Sequence, residues 1–144
     1  MSELQLTIKY QEFSSVSEMS AEGGAAVESA RTNARAGKSK ASFVTKDALR
    51  FEAREGFDLI LSNLPFGNRV GSHEDNTHLY DRFVRRLPEL LSPGGTAVLY
   101  TMEYKLLKGC LDRSKGLVLR EQKRTEAGGL LPWIFVVDRD DARC

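Results

Sequence analysis

Cysteine, tryptophan and long apolar runs are scarce in this 144-residue chain. Its two cysteines, Cys110 and Cys144, form no Cys-x-x-Cys pair and lie near no histidine cluster, which disfavours a disulfide framework and a zinc site and predicts a reducing, cytoplasmic setting. No window approaches the roughly 18 consecutive apolar residues that cross a bilayer, so we expect no membrane partner. The N-terminus also lacks the basic and then apolar pattern of a secretory signal.

What remains is the composition of a globular domain, 41% hydrophobic and 28% charged, in a chain long enough for one core. The net charge is only +1, although ten lysine and arginine residues fall between positions 82 and 124. Such a cluster is more often a solvated face than a track for phosphates, so charge alone does not predict a nucleic-acid partner.

Helical and strand patterns alternate from Ser20 onward. Apolar spacing predicts helices over Ser20–Ala36, Thr77–Leu91 and Tyr104–Leu111, and strands over Ala41–Thr45, Phe57–Ser62, Thr96–Thr101, Leu117–Arg124 and Trp133–Val137. The Ser92-Pro93-Gly94-Gly95 stretch is expected to end the second helix. Gly128-Gly129 is expected to lie in the loop of a hairpin formed by the last two strands. Residues 1–16 remain unplaced, although Leu4–Tyr10 alternates like a strand.

This order predicts an α/β fold with a mostly parallel sheet and an antiparallel C-terminal hairpin. Ligands of such sheets bind at the carboxyl ends of the strands. The loop after Ser62 lies at such an end and contains Asn63-Leu64-Pro65-Phe66-Gly67. Taken alone, this stretch also fits a turn in which Asn63 satisfies backbone groups and Phe66 fills the core.

The Asn63–Gly67 stretch resembles the Asn/Asp-Pro-Pro-Tyr/Phe signature of amino-methyltransferases. The order of Phe57–Gly67, Leu79-Tyr80 and Leu90–Gly95 is similar to that of an RNA methylase family whose members often carry a THUMP domain and methylate guanine N2. The resemblance covers about Ser17 to Arg139. It implies a Rossmann-like class I methyltransferase sheet, S-adenosylmethionine as cofactor, and structured RNA, tRNA or rRNA, as substrate.

The resemblance also implies roles for individual residues. Asn63, Leu64, Pro65 and Phe66 would form the catalytic loop: the Asn63 side chain and the Leu64 carbonyl would accept hydrogen bonds from the target amine, and Phe66 would stack on the base. Leu64 replaces the first proline of the signature, which removes a restriction on φ but keeps the carbonyl. Asp47, followed by Ala48, would hold the cofactor adenine, Glu18 would stand near its ribose, and Asn63 would also border the cofactor. A solvated loop position for Asp47 and a helix-entry position for Glu18 remain alternatives.

No glycine precedes the first predicted helix, where a class I methyltransferase has a glycine-rich turn. We therefore expect residues 17–144 to form a partial, N-terminally truncated domain and residues 1–16 to be an uncertain segment. Exposed apolar faces would then favour a homo-oligomer or a substitute strand at Leu4–Tyr10, and an RNA-binding domain would be missing upstream. Adenine N6, a protein glutamine amide and an inactive methyltransferase-like module remain alternatives to guanine N2.

Overall fold

Four strands and three helices are defined in the computed structural model, which describes residues 24–38, 49–50, 52, 55–64 and 73–141. The elements run in the order α1 Gly24–Ala36, β1 Phe57–Asn63, α2 His73–Leu90, β2 Leu91–Thr101, α3 Tyr104–Arg113, β3 Leu117–Arg124 and β4 Trp133–Arg139.

The strands form one sheet in the order β1-β2-β4-β3. β1 pairs parallel with β2, whereas β4 pairs antiparallel with both β2 and β3. Consequently β1, β2 and β3 point the same way and only β4 is reversed. This arrangement confirms the predicted α/β class, the parallel direction of most strands and the antiparallel C-terminal hairpin.

Helices α2 and α3 cover one face of this sheet. The apolar stripe of α2 is almost fully buried, with Tyr80 and Leu87 0% exposed and Phe83 and Val84 1% exposed. Leu107 on α3 is also 0% exposed and belongs to the same core. The helical spacing of these residues in the sequence therefore predicted the buried face of α2 correctly.

The predicted starts of α2 and β2 were wrong. Helix α2 begins at His73 rather than Thr77, and β2 begins at Leu91 rather than Thr96. Phe57 pairs with Leu91 but Leu59 pairs with Thr96, so β2 carries extra residues opposite a short part of β1. The stretch that was expected to end the helix follows its last residue, Leu90, and is also an irregularity within the strand.

Side chains from β1 and the end of β4 hold this irregular part of β2. Ser92 Oγ donates to Asp58 Oδ1 at 2.7 Å, and Arg139 Nη1 donates to the Leu91 carbonyl at 2.7 Å. Gly94 N donates to Asp141 Oδ2 at 3.1 Å. These long-range bonds explain how the Pro-Gly-Gly stretch, directly after the end of α2, is held within the sheet.

Some predicted elements lie wholly or partly outside the described residues. They are the strand at Ala41–Thr45, the beginning of the helix predicted from Ser20, and the N-terminal segment 1–16 with the domain boundary placed after it. These assignments stay predictions.

Candidate functional site

The carboxyl end of β1 presents Asn63 at the edge of the sheet. Asn63 is exposed and pairs with Tyr100 of β2. The next residue, Leu64, continues the ladder, because its N–H donates to the Tyr100 carbonyl at 2.8 Å. Successive strand residues point to opposite faces of the sheet. The Leu64 side chain is therefore buried, at 1% exposed, whereas the Asn63 side chain is exposed on the other face and open to a ligand.

This local geometry fixes the backbone at the predicted site. Burial of the Leu64 side chain and the hydrogen bond of its N–H hold the point at which the chain leaves the sheet. Leucine thus supplies an N–H for Tyr100 that the proline of the signature would lack. The acceptor role of the Leu64 carbonyl stays a prediction.

Five of the predicted site residues lie outside the described part of the chain: Pro65, Phe66, Glu18, Asp47 and Ala48. Their assigned roles in catalysis and cofactor binding therefore stay predictions. Only Asn63 and Leu64 are located, and the structure brings both to the expected edge of the sheet.

A buried polar contact lies beside this edge, at the end of β2. The Tyr80 and Thr101 hydroxyls are 2.6 Å apart, and the Glu103 N–H donates to Thr101 Oγ1 at 2.9 Å. Both Tyr80 and Thr101 are 0% exposed, and burial raises the pKa of Tyr80. The contact ties α2 to the turn that leads from β2 into α3.

An aromatic cluster occupies the same edge two strands from Asn63. The ring of Tyr104, at the start of α3, lies 4.3 Å from the ring of Trp133 and 5.7 Å from that of Phe135. Trp133 begins β4 and pairs with Thr101 at the end of β2. Aromatic side chains therefore lie beside Asn63 along the carboxyl ends of β1 and β2.

Sequence analysis missed the contacts at Thr101, Glu103 and Tyr104. Tyr80 and Thr101 are 21 positions apart, and no local pattern pairs them. The available signal was positional: residues just after a buried parallel strand lie at the edge where ligands bind. Applied to β2 as it was to β1, that rule would have singled out Thr101–Tyr104.

An open pocket of about 340 Å³ lies elsewhere, between α2 and α3, and includes none of the predicted site residues. Asp81, Arg85, Cys110 and Arg113 contribute to its lining. Burial raises the pKa of the Cys110 thiol, while the nearby Arg113 opposes this shift. Cys110 is thus held as a neutral buried thiol and is not an activated nucleophile.

No three His, Cys, Asp or Glu side chains in the described part of the chain are grouped so that they could hold a metal ion. None of its helices combines the length and apolarity that crossing a membrane requires.

Known proteins resemble this chain in sequence and structure. A tRNA (guanine(6)-N2)-methyltransferase of Thermus thermophilus is 42% identical over 82 residues, which are 57% of this chain and 24% of that protein. The crystal structure of TrmN from Thermus thermophilus superposes with a TM-score of 0.64 at 38% identity, covering 76% of this chain and 32% of that one. The chain thus spans a quarter or less of the length of the curated relatives it matches.

A more distant structure agrees on the fold. Magnesium protoporphyrin IX methyltransferase from Synechocystis PCC 6803, solved with bound SAM, gives a TM-score of 0.55 at 13% identity over 78% of this chain and 54% of that one. Together with the TrmN structure it confirms the Rossmann-like class I methyltransferase fold.

The family comparison covers more of the sequence than any single relative described above. Residues 14–132, more than four fifths of the chain, match the family described as RMKL-like, methyltransferase domain. The matched range contains β1, the Asn63–Gly67 stretch and the β2–α3 edge. The chain therefore belongs to the family of RMKL-like methyltransferase domains.

Proposed function

We propose that this chain transfers a methyl group from S-adenosylmethionine to the exocyclic N2 amine of a guanine in tRNA. The observation that carries the proposal is the position of Asn63, exposed at the carboxyl end of a strand inside a parallel pair, with Leu64 anchored behind it. The guanine-N2 relatives support the choice of acceptor. The free buried thiol of Cys110 supports a reducing compartment, and we place the protein in the cytoplasm.

The acceptors at this edge fit a cationic methyl donor. The Asn63 side-chain oxygen and the Leu64 backbone carbonyl are neutral acceptors, which suit a positively charged sulfonium nearby. When bound, the cofactor supplies a methyl group activated by that charge. We assign its adenine to Asp47 and Ala48, its ribose to Glu18, and the space beside the methyl group to Asn63.

Asn63 and Leu64 would activate the target amine by accepting hydrogen bonds from its two N–H groups. The lone pair of guanine N2 is delocalised into the ring, which makes it a weak nucleophile. Hydrogen bonds to Asn63 Oδ1 and the Leu64 carbonyl localise that pair toward the methyl carbon. On transfer, that pair would form the new N–C bond as the C–S bond breaks, with the C–S electrons remaining on the sulfur of S-adenosylhomocysteine and one N2 proton passing to solvent. Phe66 would hold the base plane, and a paired guanine would first leave its stack.

The test is methyl transfer to an unmodified tRNA transcript, with nucleoside analysis of the product. Asn63→Ala should lower the rate about 100-fold, as loss of one positioned polar group does in other enzymes. Asn33→Ala is the matched control, because Asn33 is an exposed asparagine on α1. The substrate control is a transcript with adenosine in place of guanosine at position 6, the position for which the relatives are named. This transcript should not be methylated.

Cofactor binding is measured separately by calorimetry with S-adenosylmethionine and S-adenosylhomocysteine. We expect saturable binding that weakens in Asp47→Ala. A folded chain that binds neither compound would contradict the proposal, and so would N6-methyladenosine or a methylated protein as the product. Equal rates for Asn63→Ala and Asn33→Ala would remove Asn63 from the mechanism.

A further inference from the structure

The hairpin between β3 and β4 extends beyond the sheet as a tight, ordered turn. Thr125 N donates to the Pro132 carbonyl at 2.8 Å, and Ala127 and Leu130 exchange two backbone hydrogen bonds of 3.0 Å. The two residues between them, Gly128 and Gly129, have φ of 57° and 81°. Positive φ at both central positions is the geometry of a type I′ turn, which matches the right-handed twist of the two strands.

Two leucines are exposed at the tip of this hairpin. Leu130 is 50% exposed and Leu131 is 49% exposed, so neither fills the core. By contrast, the next residue, Pro132, is buried. The two adjacent leucines therefore form a small apolar patch at the tip that is open to a ligand.

The tip stands beside Asn63. Trp133 of β4 pairs with Thr101, and Asn63 of β1 pairs with Tyr100, so the two strands end at nearly the same level. They are two strand spacings apart, about 10 Å. Leu131 and Leu130 extend a further two and three residues beyond Trp133, about 7 to 10 Å. The tip is therefore within about 15 Å of Asn63, close enough to contact nucleotides that flank a base bound there.

Charge and size favour RNA as the occupant over a second protein. Lys123 and Arg124, the last residues of β3, are exposed, and neither forms an ion pair with a carboxylate of the described residues. Glu121 and Glu126 also lie on this hairpin and partly offset its positive charge. Phosphates are therefore attracted to Lys123 and Arg124 themselves and not to the hairpin as a whole. The exposed area of two half-exposed leucines is far smaller than the roughly 800 Å² that each partner buries in a stable protein interface.

We propose that this hairpin, residues 123–132, is a wedge that binds the RNA beside the target nucleotide. Leu130 and Leu131 enter the stack next to the base that leaves for Asn63, while Lys123 and Arg124 contact the adjacent phosphates. Apolar side chains fill such gaps in other nucleic-acid complexes and thereby stabilise the extruded base. This inference rests on the proposed function, because it takes Asn63 as the place where the base arrives.

The test uses the full chain and the unmodified tRNA transcript with 2-aminopurine next to the target guanine. Binding of the wild-type chain should raise the 2-aminopurine fluorescence, because the label loses its stacking partner. The double variant Leu130→Ser with Leu131→Ser should abolish this rise and weaken RNA binding about tenfold, measured by fluorescence polarisation. Its affinity for S-adenosylhomocysteine should equal that of the wild type.

The matched control is Val118→Ser, which removes a side chain that is 41% exposed at the opposite end of β3 and should leave both signals unchanged. Equal RNA affinity and fluorescence in the wild type and the double variant would overturn the wedge, and methyl transfer by both would leave the proposed function standing. Absence of RNA binding by the wild type would also overturn it, while calorimetry tests the cofactor site independently. A dimer that the double variant dissociates would assign the tip to protein contact instead.

Discussion

At the scale of single residues, Tyr80 connects the core to the candidate site. It belongs to the apolar stripe of α2, yet its hydroxyl lies 2.6 Å from that of Thr101 at the edge where the site is formed. Thr101 in turn accepts from the Glu103 N–H. One buried hydroxyl pair therefore fixes where β2 ends and α3 begins, which also positions Tyr104 against Trp133.

Replacement of Tyr80 by Phe should lower the free energy of unfolding by about 1–2 kcal/mol at neutral pH, because the buried Thr101 hydroxyl loses one partner. Burial raises the pKa of Tyr80 in the folded protein above its unfolded value of 10.0. The unfolded chain therefore loses this proton first, and the Tyr80 contribution to stability declines as pH rises above about 10. Urea unfolding of both proteins across that range should show their difference shrinking; a constant difference would contradict the assigned cause.

At the scale of elements, the irregular part of β2 depends on two glycines that differ in their surroundings. Gly56 and Gly94 both have φ of 76°. A Cβ at Gly56 would lie 2.5 Å from the Ser92 backbone N, whereas a Cβ at Gly94 would meet nothing within 4 Å. The approach of β1 to Ser92 thus requires glycine at position 56 for space as well as for conformation.

Replacing each glycine by alanine should separate the cost of the positive φ from the cost of the steric collision. Gly94→Ala should lower the free energy of unfolding by about 1 kcal/mol, the cost of a left-handed backbone for a residue with a Cβ. Gly56→Ala should lower it by a further 1–3 kcal/mol, because the added methyl group collides with backbone atoms that cannot move aside cheaply. Urea denaturation measures both, and equal losses would show that the contact with Ser92 is unimportant.

At the scale of the whole molecule, the described helices α2 and α3 cover one face of the sheet, and the other face carries apolar side chains in adjacent strands. Leu61 of β1 is 42% exposed on that face, and its partner Val98 is half-buried. Val98 pairs in turn with Val136 of β4. The self-association expected from the sequence would bury this apolar row.

We expect sedimentation velocity to show association of the wild-type chain, and Leu61→Ser to weaken it by removing part of that row. Leu130→Ser, a matched loss of an exposed leucine at the hairpin tip, should leave association unchanged. A monodisperse monomer that binds no hydrophobic dye would contradict the exposed-face interpretation. Association lost only in the Leu130 variant would contradict both this prediction and the RNA wedge.

Much of the fold followed from the sequence by local rules. The spacing of Tyr80, Phe83, Val84 and Leu87 predicted one buried helical face, and the run from Phe57 to Ser62 predicted a strand. The hairpin followed from two strands around Gly128-Gly129. Asn63 was also found from the sequence, because a motif residue directly after a buried strand must lie at the carboxyl edge of a parallel sheet.

Only the tertiary structure decided what depends on contacts between distant residues. Local pattern predicted only that Ser92–Gly95 ends a helix, but long-range hydrogen bonds with Asp58, Arg139 and Asp141 also hold this part of the chain in the sheet. Likewise, pairing of β4 with β2 placed Trp133 and the leucine tip beside Asn63, 70 positions away in sequence. Periodicity reports which face of an element is buried, whereas strand order and register determine which side chains meet, because these depend on the free energy of the assembled sheet.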